Sequence, residues 1–190
     1  MAEDFVTLVS GLPRSGTSMM MKMLEAGGLP VLADHVRTAD EDNPEGYYEF
    51  ERVKKIEHDQ AWLDDARGKV VKMISALLKH LPATHRYKVV FMRRNLEEVL
   101  ASQRQMLIRR DKPTDTTSDP KMAEFFTSHL RRTEQWLAEQ PNVDVLYVNY
   151  NELMQDPANH CAAVVRFLAL PLDAGRMASV ASERLYRQRR

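Results

Sequence analysis

The stretch FVTLVSGLPRSGTSMMM, from Phe5 to Met21, constrains the fold more than any other, because an apolar strand breaks at Gly11 and restarts as a helix just after Gly16. So short a polar connection marks a strand-turn-helix unit. Phe5 to Ser10 is the first of four short, β-branched runs, the others being Val70 to Ile74, Tyr87 to Met92 and Val143 to Val148. Their apolar residues are continuous rather than alternating, as in strands buried on both faces. Helical patterns fall between them, near 17–26, 49–66, 95–109, 121–139 and 158–168. Strand alternating with helix predicts an α/β fold: a parallel sheet of about four to five strands, helices on both faces, and ligands at the carboxyl ends of the strands.

With 190 residues, no internal repeat and no linker, the chain reads as a single domain over residues 1–190. In the fourth helical stretch Met122, Phe125, Phe126, Leu130, Thr133 and Leu137 recur at helical spacing, which predicts a core-facing stripe. Asp119-Pro120 and Asp156-Pro157 read as N-caps followed by proline at the first helical position. The polar run Arg110 to Asp119 reads as a lid-like loop.

Twenty-seven basic residues balance twenty-seven acidic ones, which removes any whole-chain electrostatic case for nucleic acid or an anionic membrane as partner. The charge is nevertheless segregated. Residues 34–65 hold eleven acidic against four basic side chains, residues 86–112 hold eight basic against three acidic, and four arginines stand in the last eight residues. Should the two basic stretches meet, they form a pocket for a multiply charged anion. The acidic start lacks the basic flank and long apolar core of a secretion signal, and no apolar run approaches the ~20 residues of a membrane span. The single cysteine, Cys161, reads as a buried structural thiol in a cytoplasmic protein.

Gly11 and Gly16 occupy the two glycine positions of a GxxxxGK[ST] phosphate loop, whose backbone N–H groups and helix dipole face an anion. Thr17, however, replaces the lysine that would reach a triphosphate, and the cation is Arg14, inside the loop. The strand Tyr87 to Met92 ends in Arg93-Arg94 rather than in an aspartate able to hold magnesium. A metal-free phosphate or sulfate cradle fits these residues, with Ser15, Thr17 and Ser18 supplying hydroxyls.

Pro13-Arg14-Ser15-Gly16-Thr17-Ser18 followed by an apolar helix resembles the 5'-phosphosulfate loop of the sulfotransferases, P-[KR]-S-G-T-[TS]. The resemblance implies a P-loop-like α/β fold that binds 3'-phosphoadenosine 5'-phosphosulfate (PAPS) and releases adenosine 3',5'-bisphosphate (PAP), with Arg14 beside the transferring group. A second motif, Arg94-Asn95-x-x-x-Val99-x-x-Ser102, is similar to the family's 3'-phosphate site. Asn95 reads as an N-cap with Glu98 completing a capping box, and Ser102 lies two turns further on almost the same face. Arg94 and Ser102 would close on one phosphate from two sides. The run VLYVNYNELMQDP, from 145 to 157, resembles the family's strand, turn and helix start. It implies an adenine-side aromatic at Tyr150, with Asn151 in place of an acidic residue.

Sulfuryl transfer needs cations for charge developing on the departing phosphate and a base for the acceptor. Arg14 is the first cation. Lys72, interrupting an apolar strand, is the second, and it stands near the strand lysine of the family's K-T-H motif; Met73 and Ile74 replace the threonine and the histidine base. Glu49 is the candidate base, against the alternative that it is a first-turn charge of the next helix, and Glu45, Asp34 and His35 stay open. Arg187 in the basic tail is the expected extra phosphate contact. The histidines show no metal-ligand spacing, so no metal is expected. The reading is a sulfotransferase acting between PAPS and a small-molecule, peptide or saccharide acceptor. Its rivals on the same fold are a magnesium-dependent kinase and a non-catalytic nucleotide-binding or scaffold protein.

Overall fold

The computed structural model describes residues 4–34, 48–109 and 119–181. Four parallel strands form one sheet in the order β2-β1-β3-β4: β1 is Val6–Gly11, β2 Val70–Lys72, β3 Tyr87–Arg93 and β4 Val143–Asn149. The register sets Val9 beside both Lys72 and Val90, and Arg93 beside Asn149, so the carboxyl ends of all four strands share one edge.

Side chains alternate across the sheet, and each face builds its own core. Val9, Val70, Val90 and Met92 point to one face. There they meet α1 (Thr17–Ala26), α5 (Tyr150–Gln155), α6 (Pro157–Leu168) and α7 (Ala174–Val180). Met19, Met20, Met21 and Met23 all lie in this core, so they pack the helix. Val6, Leu8, Val71, Val89 and Phe91 point to the other face, against Trp62, Leu63 and Leu137. Those three belong to α2 (Trp62–Asp65) and α4 (Asp119–Glu139). The remaining helix, α3 (Leu96–Arg109), packs Val99 and Leu100 with Leu12 and Phe126 in a smaller cluster.

Two sequence expectations are corrected. Residues 49–66 do not form one helix: a 3-10 turn over Glu51–Lys55 and the short α2 replace it. The bidentate pair of Arg52 with Asp59, both contacts 2.8 Å, folds the chain back, while Val53, Ile56, Trp62 and Leu63 all reach the core, which one straight apolar stripe would not allow. The second strand stops at Lys72 instead of Ile74, and a 3-10 helix, Ser75–His80, begins at once.

The caps follow local chemistry. Asp156 accepts from the Asn159 N–H ahead of Pro157, and Asn149 and Asp173 cap α5 and α7 in the same way. Lys88, inside β3, donates to the carbonyls of Phe167 and Leu168, closing the last turn of α6 with a cation.

Candidate active site

The β1-α1 turn stands at the centre of the carboxyl edge, and two glycines allow it to close. At Gly11, φ 147°, a Cβ would come within 2.6 Å of the Met92 carbonyl and of Ser15 Oγ. At Gly16, φ 97°, it would lie 2.3 Å from the Tyr150 ring. Only glycine fits such positions, where backbone conformation and contact both exclude a side chain. Ser15 is buried and donates its hydroxyl to the Leu12 carbonyl at 2.7 Å, so it braces the loop from within. Gly16 is the N-cap of α1 without a capping side chain. The first-turn N–H groups, from Thr17 and Ser18 onward, have no carbonyl within the helix to bond and face the turn.

Arg14 adopts a left-handed backbone, φ 70°. For a residue with a Cβ this conformation costs roughly 1–2 kcal/mol and persists where neighbours enforce it. Two neighbours do. Arg94 Nη1 donates to the Arg14 carbonyl at 3.1 Å, and Arg14 Nε donates to Ser102 Oγ at 2.9 Å. The two sequence motifs, some eighty residues apart, therefore meet at Arg14.

Arg94 is only 6% exposed. Its Nε donates to Glu98 Oε2 at 2.9 Å and its guanidinium lies 4.5 Å from the centre of the Tyr150 ring. Glu98 in turn accepts from Asn151 Nδ2 on its other oxygen, at 2.9 Å. This corrects the capping-box expectation. Asn95 does cap α3, its Oδ1 accepting from the N–H groups of Glu97 and Glu98, but its own N–H donates to Asn151 Oδ1. Glu98 is thereby released to hold Arg94, and Asn151 ties the start of α5 to the start of α3.

Ser102 is buried, and so is Tyr150, at 2% exposure. The Tyr150 ring packs against Gly16 and beneath the Arg94 guanidinium. Lys72, at the end of β2, donates to Ser18 Oγ at 3.0 Å and so reaches the first turn of α1. A cavity of about 140 Å³ lies beside the loop, bounded by Leu12, Ser15, Arg94 and Val99 and by Leu130 and Glu134 of α4.

On the outer side of β2 the chain runs parallel to the strand, with Val31 bridged to Val70. It brings Asp34 and Glu49 together there, the Asp34 N–H donating to the Glu49 carbonyl at 3.1 Å. Asp34 Oδ2 accepts from the Glu51 N–H, which makes it the cap of the following 3-10 turn. The Glu49 carboxylate stands 3.5 Å from Lys54 Nζ. Glu45, His35 and Arg187, along with most of the Arg110 to Asp119 loop, lie outside the described residues. Among the described residues no cluster of three or more His, Cys, Asp or Glu could hold a metal ion, and no helix is long and apolar enough to cross a membrane.

Sequence reasoning gave Glu98 a capping role and Asn151 no partner, and did not single out His129; it did not foresee the contacts the three make. An Arg94-Glu98 pair at i,i+4 is visible in the sequence, but its burial is not. His129 of α4 meets Ser75 at 2.8 Å, a contact across 54 positions that no local pattern announces.

A sequence profile of the sulfotransferase domain matches residues 5–189. The chain belongs to the sulfotransferase family. Solved structures of sulfotransferases share its fold. The enzyme STF1 from Mycobacterium tuberculosis H37Rv superposes with a TM-score of 0.63 at 18% identity, over 95% of this chain and 72% of that one. Mouse sulfotransferase SULT7A1, solved with PAP, gives 0.55 at 19% identity over 95% of this chain and 63% of its own, so this sulfotransferase spans less than two thirds of the mouse enzyme. The sulfotransferase domain of the curacin biosynthetic pathway gives 0.53 at 13%, over 96% and 79%. None of the curated protein sequences compared with it matches significantly. This sulfotransferase thus has the parallel sheet with surrounding helices seen in those structures.

Proposed function

We propose that this sulfotransferase, acting as one domain, takes the sulfuryl group from PAPS and releases PAP. The β1-α1 turn would hold the 5' side of the donor, through the first-turn N–H groups of α1, the hydroxyls of Thr17 and Ser18, and Arg14. Arg94 and Ser102 would hold the 3'-phosphate, and Lys72 would share with Arg14 the charge that develops on the departing phosphate. The observation that carries this reading is the convergence of four polar side chains from four elements, Arg14, Lys72, Arg94 and Ser102, on one glycine-cornered turn at the carboxyl edge of the sheet. Arg94 and Ser102 are buried there, held by Glu98 and by Arg14, which fixes both beside the turn that a bound anion would occupy. No lysine follows Gly16, so the cradle suits a donor bound without a triphosphate-coordinating lysine. PAP in the mouse structure supports the same donor class. For the acceptor's proton, Glu49 is the candidate read from the sequence.

Calorimetry with PAP, adenosine 5'-monophosphate and magnesium-ATP tests the reading. PAP without metal should bind at least tenfold more tightly than the monophosphate, the equivalent of about 1.5–3 kcal/mol from a charge-assisted hydrogen bond. Equal binding of PAP and the monophosphate, or a preference for magnesium-ATP, would overturn it.

A further inference from the structure

Asn151 joins three elements through one amide. Its backbone N–H donates to Asn149 Oδ1 at 2.9 Å, so the cap of α5 fixes where its side chain starts, and the pairing of β4 with β3 sets Asn149 beside Arg93. From that point Asn151 Oδ1 accepts the Asn95 N–H at 3.3 Å, and Nδ2 donates to Glu98 Oε1 at 2.9 Å. Turning the amide over would set its oxygen against the carboxylate and its NH2 against an N–H, so the two partners leave it one orientation. Glu98 turns its second oxygen to Arg94 Nε at 2.9 Å, and both members of this pair are buried, at 6% and 13% exposure. With Nε held there, the guanidinium directs Nη1 to the Arg14 carbonyl in the β1-α1 turn, while the Tyr150 ring lies against its face at 4.5 Å. An unbroken run of contacts therefore leads from the start of α5, through Glu98 and Arg94, to the phosphate loop.

We infer that Asn151 and Glu98 are positioning residues for the donor's 3'-phosphate: they hold Arg94 with its Nη edge toward that phosphate, and so set the preference for nucleotides that carry it. This rests on the donor reading above. Arginine is long and flexible, and ordering it only when the ligand arrives would be charged against binding; the Glu98 clamp orders it beforehand. A carboxylate fixed through one oxygen alone can still swing about its own torsions, and Asn151 removes that freedom by taking the other oxygen. The amide is the group that fits the position. It offers the N–H that Glu98 needs and the oxygen that the Asn95 N–H needs, and it adds no charge. An aspartate in its place would set two carboxylates at hydrogen-bond distance, where one must take up a proton or move away. Either response loosens Glu98, and Arg94 with it.

Calorimetry of the full chain with PAP and with adenosine 5'-monophosphate reads that preference directly. Wild type should favour PAP by about tenfold or more. Asn151→Asp should bring the two affinities within about threefold of each other and leave the monophosphate within about twofold of its wild-type value, since the brace from Ser15 to the Leu12 carbonyl is untouched. Adding Glu98→Gln to that variant lets the glutamine NH2 donate to the new carboxylate while its oxygen accepts from Arg94 Nε. The bridge is rebuilt with its partners exchanged, and the preference should return to within about threefold of wild type. Adding Glu98→Ala instead removes the same charge without the bridge, and the preference should stay lost. A role limited to stability would weaken both nucleotides alike. Asn151→Ala, which removes the clamp without adding a charge, should lower the preference by a smaller factor and is the second variant if Asn151→Asp fails to fold. Three results would overturn the inference: a preference for PAP that both substitutions of Asn151 leave intact, equal weakening of the two nucleotides, or recovery with Glu98→Ala as complete as with Glu98→Gln. No preference for PAP in the wild type would instead remove the donor reading, and this inference with it.

Discussion

Arg14 Nε and Ser102 Oγ are joined at 2.9 Å across 88 positions of sequence, so the cation of the phosphate loop is held by the hydroxyl of the second phosphate motif. The two motifs are hydrogen-bonded to each other, so under the proposed reading they form one linked anion site, and disturbing either should be felt at the other. Ser102→Ala should therefore weaken PAP and also lower turnover, because Arg14 loses the contact that aims it. Losing a hydrogen bond to a charged group costs about 1.5–3 kcal/mol, so a ten- to hundredfold weaker PAP affinity is expected. Calorimetry and sulfuryl-transfer rates on the same variant check this, and an effect on neither would show that the link is incidental.

Arg14→Ala and Lys72→Met should separate binding from chemistry. Under the proposed reading both side chains meet charge that grows during transfer, so kcat should fall by roughly 100-fold for each while PAP affinity changes much less. Steady-state kinetics paired with calorimetry would reveal the opposite pattern, weakened binding with kcat intact, if either residue only holds the donor.

Arg94 is buried against Glu98, and removing one partner leaves the other's charge in a poorly hydrated place. Arg94→Met should lower stability by about 3 kcal/mol, and Arg94→Met with Glu98→Met should recover part of that loss. Denaturant unfolding of the two single variants and the double variant measures the coupling. Additive losses would mean that the pair contributes nothing as a pair.

Gly16→Ala would set a Cβ 2.3 Å from Tyr150 and force it into a left-handed backbone. A destabilisation of about 2 kcal/mol or more is expected, and adding Tyr150→Ala, which removes the Cδ2 and Cε2 atoms that the new Cβ would meet, should make the Gly16→Ala step itself less costly. Thermal unfolding of the variant with and without the second change decides whether the ring contact or the backbone dominates.

Burial pushes the Cys161 thiol from 9.0 up to about 11. The native state therefore holds this proton more firmly than the unfolded chain does. The resulting stability is intact below the unfolded thiol's pKa and is lost as pH rises toward 11. Iodoacetamide should react with native protein far more slowly than with urea-unfolded protein at pH 8.5. Comparable rates would place the thiol at the surface.

Much of the architecture is legible along the chain because its determinants are local. All four strands, α1, the caps at Asn95 and Asp156 and the glycines at 11 and 16 come from short patterns of apolar, capping and turn residues, and each lies where it is expected to within a residue or two. The failures are equally physical. Residues 49–66 carry enough apolar side chains for a helix, but those side chains serve one core from two directions, and the Arg52-Asp59 pair closes the fold between them.

The residue types of the candidate site, its order along the chain and its attachment to strand ends were all set by the linear sequence, since each motif is a local strand-to-helix junction. Which atoms meet was decided only when the sheet brought those junctions side by side. Parallel pairing of β1 with β3 places Arg94 under the Arg14 carbonyl, and the packing of α5 against both brings Tyr150 to Gly16 and Asn151 to Glu98. The Ser75-His129 contact depends on α4 packing against the 3-10 helix that follows β2. Such contacts arise from the packing of whole elements, whose positions depend on two separate cores, and no window of neighbouring residues contains that information.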